Sequence, residues 1–379
     1  MEKNNEKRLY DLIGQIKPAD QAAIAKAKER QANLVKPPGS LGKLEDISIK
    51  IAGITGKPWD NEVKKQAILV MSADNGVVDE GVAVAPQSVT LMQTINMTRR
   101  ITGVGSLAKY FDIDLLVTDV GVKMEIPEEL YTDNMIEEDG RLARRIVNRR
   151  IANGTKNFAK EPAMTREEAI TAILTGVEAV ESAHKAGIQL IGVGEMGIGN
   201  TTTGSAILGA FTNMTAEEVT GRGGGLNDEG LTKKMKVIND GINGYCMSDP
   251  ITKLSCIGGF DICAMAGAFL GAAYYRIPVV IDGFISMVAA VVAKELNPTV
   301  TDYMFASHKS FEKGYEIAMN KVGLDPMFVL DMRLGEGSGC PMAFKTIEAA
   351  VGSMNLMRTF AEAEINDEYL QEVRDGNLF

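Results

Sequence analysis

The chain has 379 residues, 45% hydrophobic and 24% charged, the balance of a globular protein with a full core and room for one large domain beside a smaller one. A formal net charge of −10 excludes broad, charge-driven binding to nucleic acid or to an anionic membrane, since either partner would be repelled. The longest uncharged apolar stretch, 262–275, is too short to span a bilayer.

Over the first 35 residues, Leu9, Leu12, Ile13 and Ile16, then Ala22, Ala23 and Ile24, fall at helical spacing and predict two short amphipathic helices. The opening MEKNNEKRLYDLIGQ is polar, with no apolar segment or small-residue cleavage site, so a cytoplasmic protein is expected. KPPGSLG at 36–42 is a loop, because its prolines lack donors and its glycines free the backbone. From residue 66 short apolar runs alternate with Gly-rich turns and longer helical stretches, which predicts an α/β fold with a parallel sheet covered by helices. The strand candidates are 67–71, 114–118, 188–193, 278–281 and 327–332, each apolar enough to be buried on both faces. Thr165 with Glu168, and Thr215 with Glu218, fit capping boxes. Segment 137–150 carries EED and then RLARRIVNRR; with no aromatic interleaved for base stacking, it reads as a solvated loop and helix face rather than an RNA-binding arm. Residues 259–275 predict a Gly/Ala-rich helix lying close to the sheet. A further helix is predicted over 345–364, with the last dozen residues loosely held. Cys246, Cys256, Cys263 and Cys340 form no CxxC pair and the only histidines are His184 and His308, so buried free thiols are expected rather than a zinc site.

Predicted strands end in an acidic or polar residue beside glycine: Asp74-Asn75-Gly76, Asp119-Val120-Gly121, Gly194-Glu195-Met196-Gly197, Asp282-Gly283 and Gly335-Glu336-Gly337. In a parallel sheet these ends share one edge, where open α/β folds bind ligands, so five carboxylates are expected around a common crevice, some of them as helix caps. Gly192 to Gly197 satisfies GxGxxG, but the acidic residues about 20 positions on, Glu217 and Glu218, open a helix instead of ending a second strand, which disfavours a dinucleotide-binding dehydrogenase. The continuation Gly197-Ile198-Gly199-Asn200-Thr201-Thr202 reads better as an anion cradle at a helix start. Without Gly-Lys-Ser/Thr, a nucleotide triphosphatase is disfavoured as well. A second glycine cluster, Gly221 to Gly225 around Arg222, precedes a helix bearing Lys233 and Lys234 and is either a flexible loop or part of a phosphate site. Glu336, flanked by glycines in a sheltered cleft, suits a general base near neutral pH, with a capping role as the alternative.

KPPGSLGKLE, ADNGVVDEGVAVAPQSVT, NMTRRITGVG, GVGEMGIGNTT, GGFDICAMAG, VVIDGF, SHKSFEKG and RLGEGSG, in this order over about residues 30–355, resemble the nicotinate-nucleotide:dimethylbenzimidazole phosphoribosyltransferase family of cobamide biosynthesis. The resemblance implies a large Rossmann-like domain over 66–344, a small helical domain from 1–65 with 345–379, a homodimer, and no metal or organic cofactor. The implied reaction joins nicotinate mononucleotide to 5,6-dimethylbenzimidazole, releasing nicotinate and giving α-ribazole 5′-phosphate. On the matching positions, Glu336 is the catalytic base, and Glu195 a second carboxylate that holds the ribose or supports oxocarbenium charge. Gly197, Gly199, Asn200, Thr201 and Gly223 belong to the nucleotide site with Gly335 and Gly337. Lys234 and Ser310 lie near the phosphate and the nicotinate carboxylate, while Gln93, Leu334, Met196 and Ala85 surround the acceptor. Ala85 departs from a serine found in at least one well-known member, which leaves the acceptor open. Two alternatives stand beside this reading: a phenol- or p-cresol-accepting relative paired with a similar subunit, and a non-catalytic nucleotide-binding subunit, against which retention of both Glu195 and Glu336 speaks.

Overall fold

The computed structural model describes residues 2–370. Eight strands, β1 (Gln66–Ala73), β2 (Asp114–Gly121), β3 (Tyr131–Thr132), β4 (Ile146–Asn148), β5 (Leu190–Met196), β6 (Val279–Ile281), β7 (Met304–His308) and β8 (Pro326–Phe328), form one sheet in the order β3-β4-β2-β1-β5-β6-β7-β8. Every pairing is parallel. Every residue of β1, β6 and β7 is buried, as expected of strands covered on both faces, whereas the edge strands β3 and β8 are only half-buried.

Helix Arg166–Lys185 crosses helix Phe260–Tyr275 so closely that only glycine fits at two positions. A Cβ on Gly176 would stand 1.8 Å from the Ala264 carbonyl oxygen, and one on Gly267 1.8 Å from that of Ile173. The capping boxes at Thr165 and Thr215 are both formed. Near the N-terminus, helix Lys43–Thr55 packs on helices Gln21–Asn33 and Cys340–Leu356, and Leu34 bridges to Thr359. One continuous apolar core runs from Leu9 and Ile13 through the central strands to Val351. No helix among the described residues is long and apolar enough to cross a membrane.

Several local expectations change. Strands β3, β4 and β7 carry no clear signal, being short or partly polar. β4 lies within 137–150, where no helix forms; its arginines are used in ion pairs instead, Arg149 with Glu178 and Arg141 with Asp114. The strand predicted over 327–332 stops at Phe328, because β7, its sole neighbour, ends at His308, the partner of Phe328. The predicted helix 345–364 begins earlier, at Cys340, with Pro341 in the first turn where a missing N–H costs nothing, and ends at Leu356. Cys246 is exposed, unlike the other three thiols. The looseness expected of the last dozen residues falls mainly on 371–379, outside the described residues; Glu368–Leu370 form a 3-10 turn.

Gly267→Val drives two methyls into the Ile173 backbone and should lower unfolding free energy by about 3 kcal/mol. Urea unfolding followed by circular dichroism checks this, and a midpoint equal to that of the parent would contradict the packing described.

Candidate active site

Strand order switches between β1 and β5: β1 leads to β2 on one side, and β5 opens the run to β8 on the other. Beyond the carboxyl ends of β5, β6 and β7 lies a cleft of about 310 Å³, where open α/β sheets bind ligands. Glu195 and Met196 of β5, Asp282 just after β6, and His308 at the end of β7 form its floor.

Glu336 reaches the same cleft from a turn that opens helix Cys340–Leu356, not from a strand end as its flanking glycines first indicate. Asp282 holds that turn: Oδ2 accepts the Gly337 N–H at 3.0 Å and Oδ1 the Gly339 N–H at 2.7 Å. Gly335, Glu336 and Gly337 all take positive φ (87°, 65° and 89°), and for Glu336 such a backbone costs about 1–2 kcal/mol. The turn rests on β5 at Gly194, where a Cβ would stand 2.4 Å from the Glu336 carbonyl oxygen. A Cβ on Gly335 would come within 2.6 Å of Glu195 Oε1, so the two glutamates meet across glycine. The Glu336 carboxylate accepts the Val104 N–H at 3.0 Å and the Gln93 amide at 3.4 Å, and is 4% exposed.

Four carboxylates thus crowd one region. Burial pushes Glu195 up to about 8, reinforced by the charges of Asp261, Asp282 and Glu336 and offset by the Asn200 amide that donates to it. Asp261, which accepts from the same amide at 3.3 Å, is pushed up to about 7 by burial. Asp282 is likewise pushed up by burial to about 7, against the lowering effect of the N–H groups it accepts. Ionisation is therefore costly here, and neutral carboxyls or a bound cationic group are favoured near neutral pH.

Two helices start at the cleft beside these carboxyls, one at Asn200, which donates to Glu195, and one just after Asp282. Gly199 (φ 94°) caps helix Asn200–Thr212, and Gly283 caps helix Phe284–Leu296. Although the Asn200 and Thr202 N–H groups donate to the Gly197 and Gly199 carbonyls at 3.1 and 3.0 Å, the positive end of each helix dipole favours an anion there. Lys234 lies fully buried behind the first start, its Nζ donating to Thr201 Oγ at 2.9 Å and to the Gly221 carbonyl at 3.3 Å. Burial lowers it to about 8. Gly223 (φ 55°) closes over Thr201 and Lys234. Ser310 lines the cleft near the second start. Ala85, Gln93, Met196 and Leu334 line the same cleft with Val84 and Val89, Val84 and Leu334 being largely exposed.

Of the residues singled out from sequence, Glu195, Glu336, Gly197, Gly199, Asn200, Thr201, Gly223, Ser310, Gly335, Ala85, Gln93, Met196 and Leu334 line the cleft. Lys234 and Gly337 stand behind it, bonded to Thr201 and Asp282. Asp74 and Asp119 do not face it: Asp74 accepts from Thr90 and the Lys123 N–H, and Asp119 from the Gly121 and Val122 N–H groups. They are backbone fasteners, so the expected crevice of five carboxylates has three of them, Glu195, Asp282 and Glu336. Asp282 as turn anchor, the Val104 N–H, Asp261 and His308 were missed as site groups. Only the Asp282-Gly283 pair at a strand end carried a signal, and it did not reveal the turn it holds.

Because the buried carboxyls bind protons more tightly folded than unfolded, their contribution is full below the unfolded value near 4.5 and is lost as pH rises towards 8. Glu195→Gln removes that loss and should stabilise the protein at pH 8.5 by about 1 kcal/mol or more, with the advantage gone near pH 4.5. Thermal melts across that range test it; a variant less stable than the parent at pH 8.5 would contradict it.

A family model described as phosphoribosyltransferase, DBI_PRT, matches residues 16–365. A Clostridium perfringens protein named nicotinate-nucleotide–dimethylbenzimidazole phosphoribosyltransferase is 49% identical over 98% of this chain and 99% of its own. A Clostridium tetani protein of the same name is 44% identical over 97% of this chain and 98% of its own. The crystal structure of CobT from Thermus thermophilus superposes with a TM-score of 0.85 at 34% identity, covering 91% of this chain and 99% of that one. With a family match over nearly its whole length and relatives this similar, the chain belongs to the DBI_PRT phosphoribosyltransferase family.

Proposed function

We propose that this protein transfers the ribose 5-phosphate of nicotinate mononucleotide to 5,6-dimethylbenzimidazole or a similar aromatic base, giving α-ribazole 5′-phosphate and nicotinate in cobamide assembly. The observation that carries the reading is the meeting of Glu195 and Glu336 in one cleft that also holds two helix starts, with a buried lysine behind one of them. The relatives' name supplies the two substrates.

The nucleotide phosphate docks on the start of helix Asn200–Thr212, with Lys234 behind Thr201, and the acceptor ring lies in the slot of Ala85, Gln93, Met196 and Leu334. One ring nitrogen attacks the anomeric carbon as its bond to nicotinate breaks, and that electron pair neutralises the pyridinium nitrogen. Glu336 takes the proton from the acceptor's other nitrogen. Glu195 faces the sugar and supports the developing positive charge. Attack opposite the leaving ring converts the β-riboside to the α-riboside.

The enzyme acts in the cytoplasm as a homodimer. Residues 1–65 with 345–379 serve as its small helical domain and 66–344 as its large one; the packing of helix Lys43–Thr55 on both Gln21–Asn33 and Cys340–Leu356 supports joining the two chain ends, while helix Cys340–Leu356 runs across the boundary and Leu9 and Ile13 share the large domain's core. Ala85 places a methyl, not a hydroxyl, against the acceptor, which favours rings with apolar substituents.

Glu336→Gln should bind nicotinate mononucleotide as the parent does while kcat falls by about 10²–10⁴-fold. Nicotinate release and product mass, followed with benzimidazoles, purines and phenols, check both base and acceptor. A rate unchanged with the preferred acceptor would remove Glu336 from the mechanism.

A further inference from the structure

His308 ends β7, is 2% exposed, and lines the cleft. The reaction described above gives it no task. Its tautomer follows from its neighbour. Ser307 Oγ lies 2.9 Å from the Asp282 carbonyl oxygen and 3.0 Å from His308 Nδ1. A carbonyl only accepts, so the single hydroxyl proton goes to Asp282, and Ser307 oxygen must accept from Nδ1–H. Nε2 of the neutral ring is then a bare lone pair, with no hydrogen-bond partner among the described residues.

Nε2 lies beside Ser310 at a helix start. A Cβ on Gly283 would stand 3.8 Å from Nε2 and 3.7 Å from Ser310 Oγ, so both converge at the cap of helix Phe284–Leu296. The start of helix Phe284–Leu296 favours an anion, but an unprotonated Nε2 repels one. The conflict disappears if the ring gains a proton as the anion arrives. A nucleotide of nicotinate carries two anionic groups, and the phosphate is served by the other helix start, with Lys234 behind it.

We propose that His308 is a substrate-binding residue that takes up a proton on Nε2 when the pyridine carboxylate of the donor docks against Ser310 and the start of helix Phe284–Leu296. The assignment rests on the donor being nicotinate mononucleotide. His308⁺ donates to the carboxylate through Nε2 and to Ser307 through Nδ1, and selects a carboxylate over the uncharged amide of the nicotinamide analogue. Burial lowers the pKa of the free ring, so it is neutral at pH 7 before binding. The titratable and charged groups around it are Asp282, with Oδ1 4.0 Å from Nδ1, and Glu195, Glu312, Glu336, Arg222 and Arg333 of the same cleft. Lys309, next in the chain, is paired with Glu316. These acidic groups are present with either analogue, so a comparison of ligands isolates the carboxylate.

Calorimetric titration of the whole protein at pH 7.5, in two buffers of different ionisation enthalpy, counts protons taken up on binding. Nicotinate mononucleotide should bring in up to about one proton more than nicotinamide mononucleotide, and its affinity should weaken by up to about tenfold per pH unit above neutrality. His308→Gln keeps a polar group at the Nε2 position without titrating; it should bind nicotinate mononucleotide with the extra uptake and its pH slope abolished. Equal uptake with both nucleotides, or an extra proton that survives in His308→Gln, overturns the assignment. Failure of the parent to bind nicotinate mononucleotide at all would instead sink the proposed substrate.

Discussion

The grip of Asp282 on the turn 335–339 is the constraint on which the site depends. Glu336 sits on a backbone that residues other than glycine avoid; the local bonds Ser338 N–H to Gly335 O and Cys340 N–H to Gly337 O, at 3.0 and 3.1 Å, close the turn but do not tie it to the sheet. Two hydrogen bonds to the Gly337 and Gly339 N–H groups, worth together about 2–3 kcal/mol, exceed the 1–2 kcal/mol or so of that strain. The anchor stands at the end of β6, so the sheet itself sets where the turn lies. Gly194 on β5 then lets the turn settle directly on the neighbouring strand, which brings Glu336 beside Glu195. Two segments about 140 positions apart in sequence acquire a shared geometry in this way.

Gathering buried carboxyls carries a cost in stability that increases with pH. Glu195, Asp261 and Asp282 are all driven towards their neutral forms, and the Asn200 amide shared by Glu195 and Asp261 relieves only part of the repulsion. A cleft so arranged suits the proposed reaction, in which a sugar carbon gains positive charge as its bond to nicotinate breaks. The starts of helices Asn200–Thr212 and Phe284–Leu296 adjoin these carboxyls, Asn200 donating to Glu195 and Gly283 following Asp282, so anion-favouring and acid-lined parts of the cleft lie side by side.

Much of this fold was legible from local pattern. Five strands stand out because they are continuous apolar runs, and the capped helices because Thr–Glu spacing is a local device. The short strands β3, β4 and β7 were not legible, since Tyr131–Thr132, Ile146–Asn148 and Met304–His308 owe their pairing to neighbours supplied by the rest of the sheet. Within the site, glycine-flanked Glu195 and Glu336 announced themselves. Asp74 and Asp119 carried the same signature yet fasten backbone, because strand-end aspartates serve caps and clefts equally well. Asp282 and His308 act through partners distant in sequence, and no spacing rule reports such contacts.

Asp282, by holding its turn, brings Glu336 beside Glu195 in one cleft, and a crystal structure with nicotinate mononucleotide and the acceptor base bound tests most directly whether the two flank the sugar carbon as proposed. The expected result is an acceptor nitrogen within hydrogen-bonding distance of Glu336, the anomeric carbon facing Glu195, and the Asp282 contacts to Gly337 and Gly339 intact. A bound nucleotide whose anomeric carbon lies remote from both glutamates would contradict it.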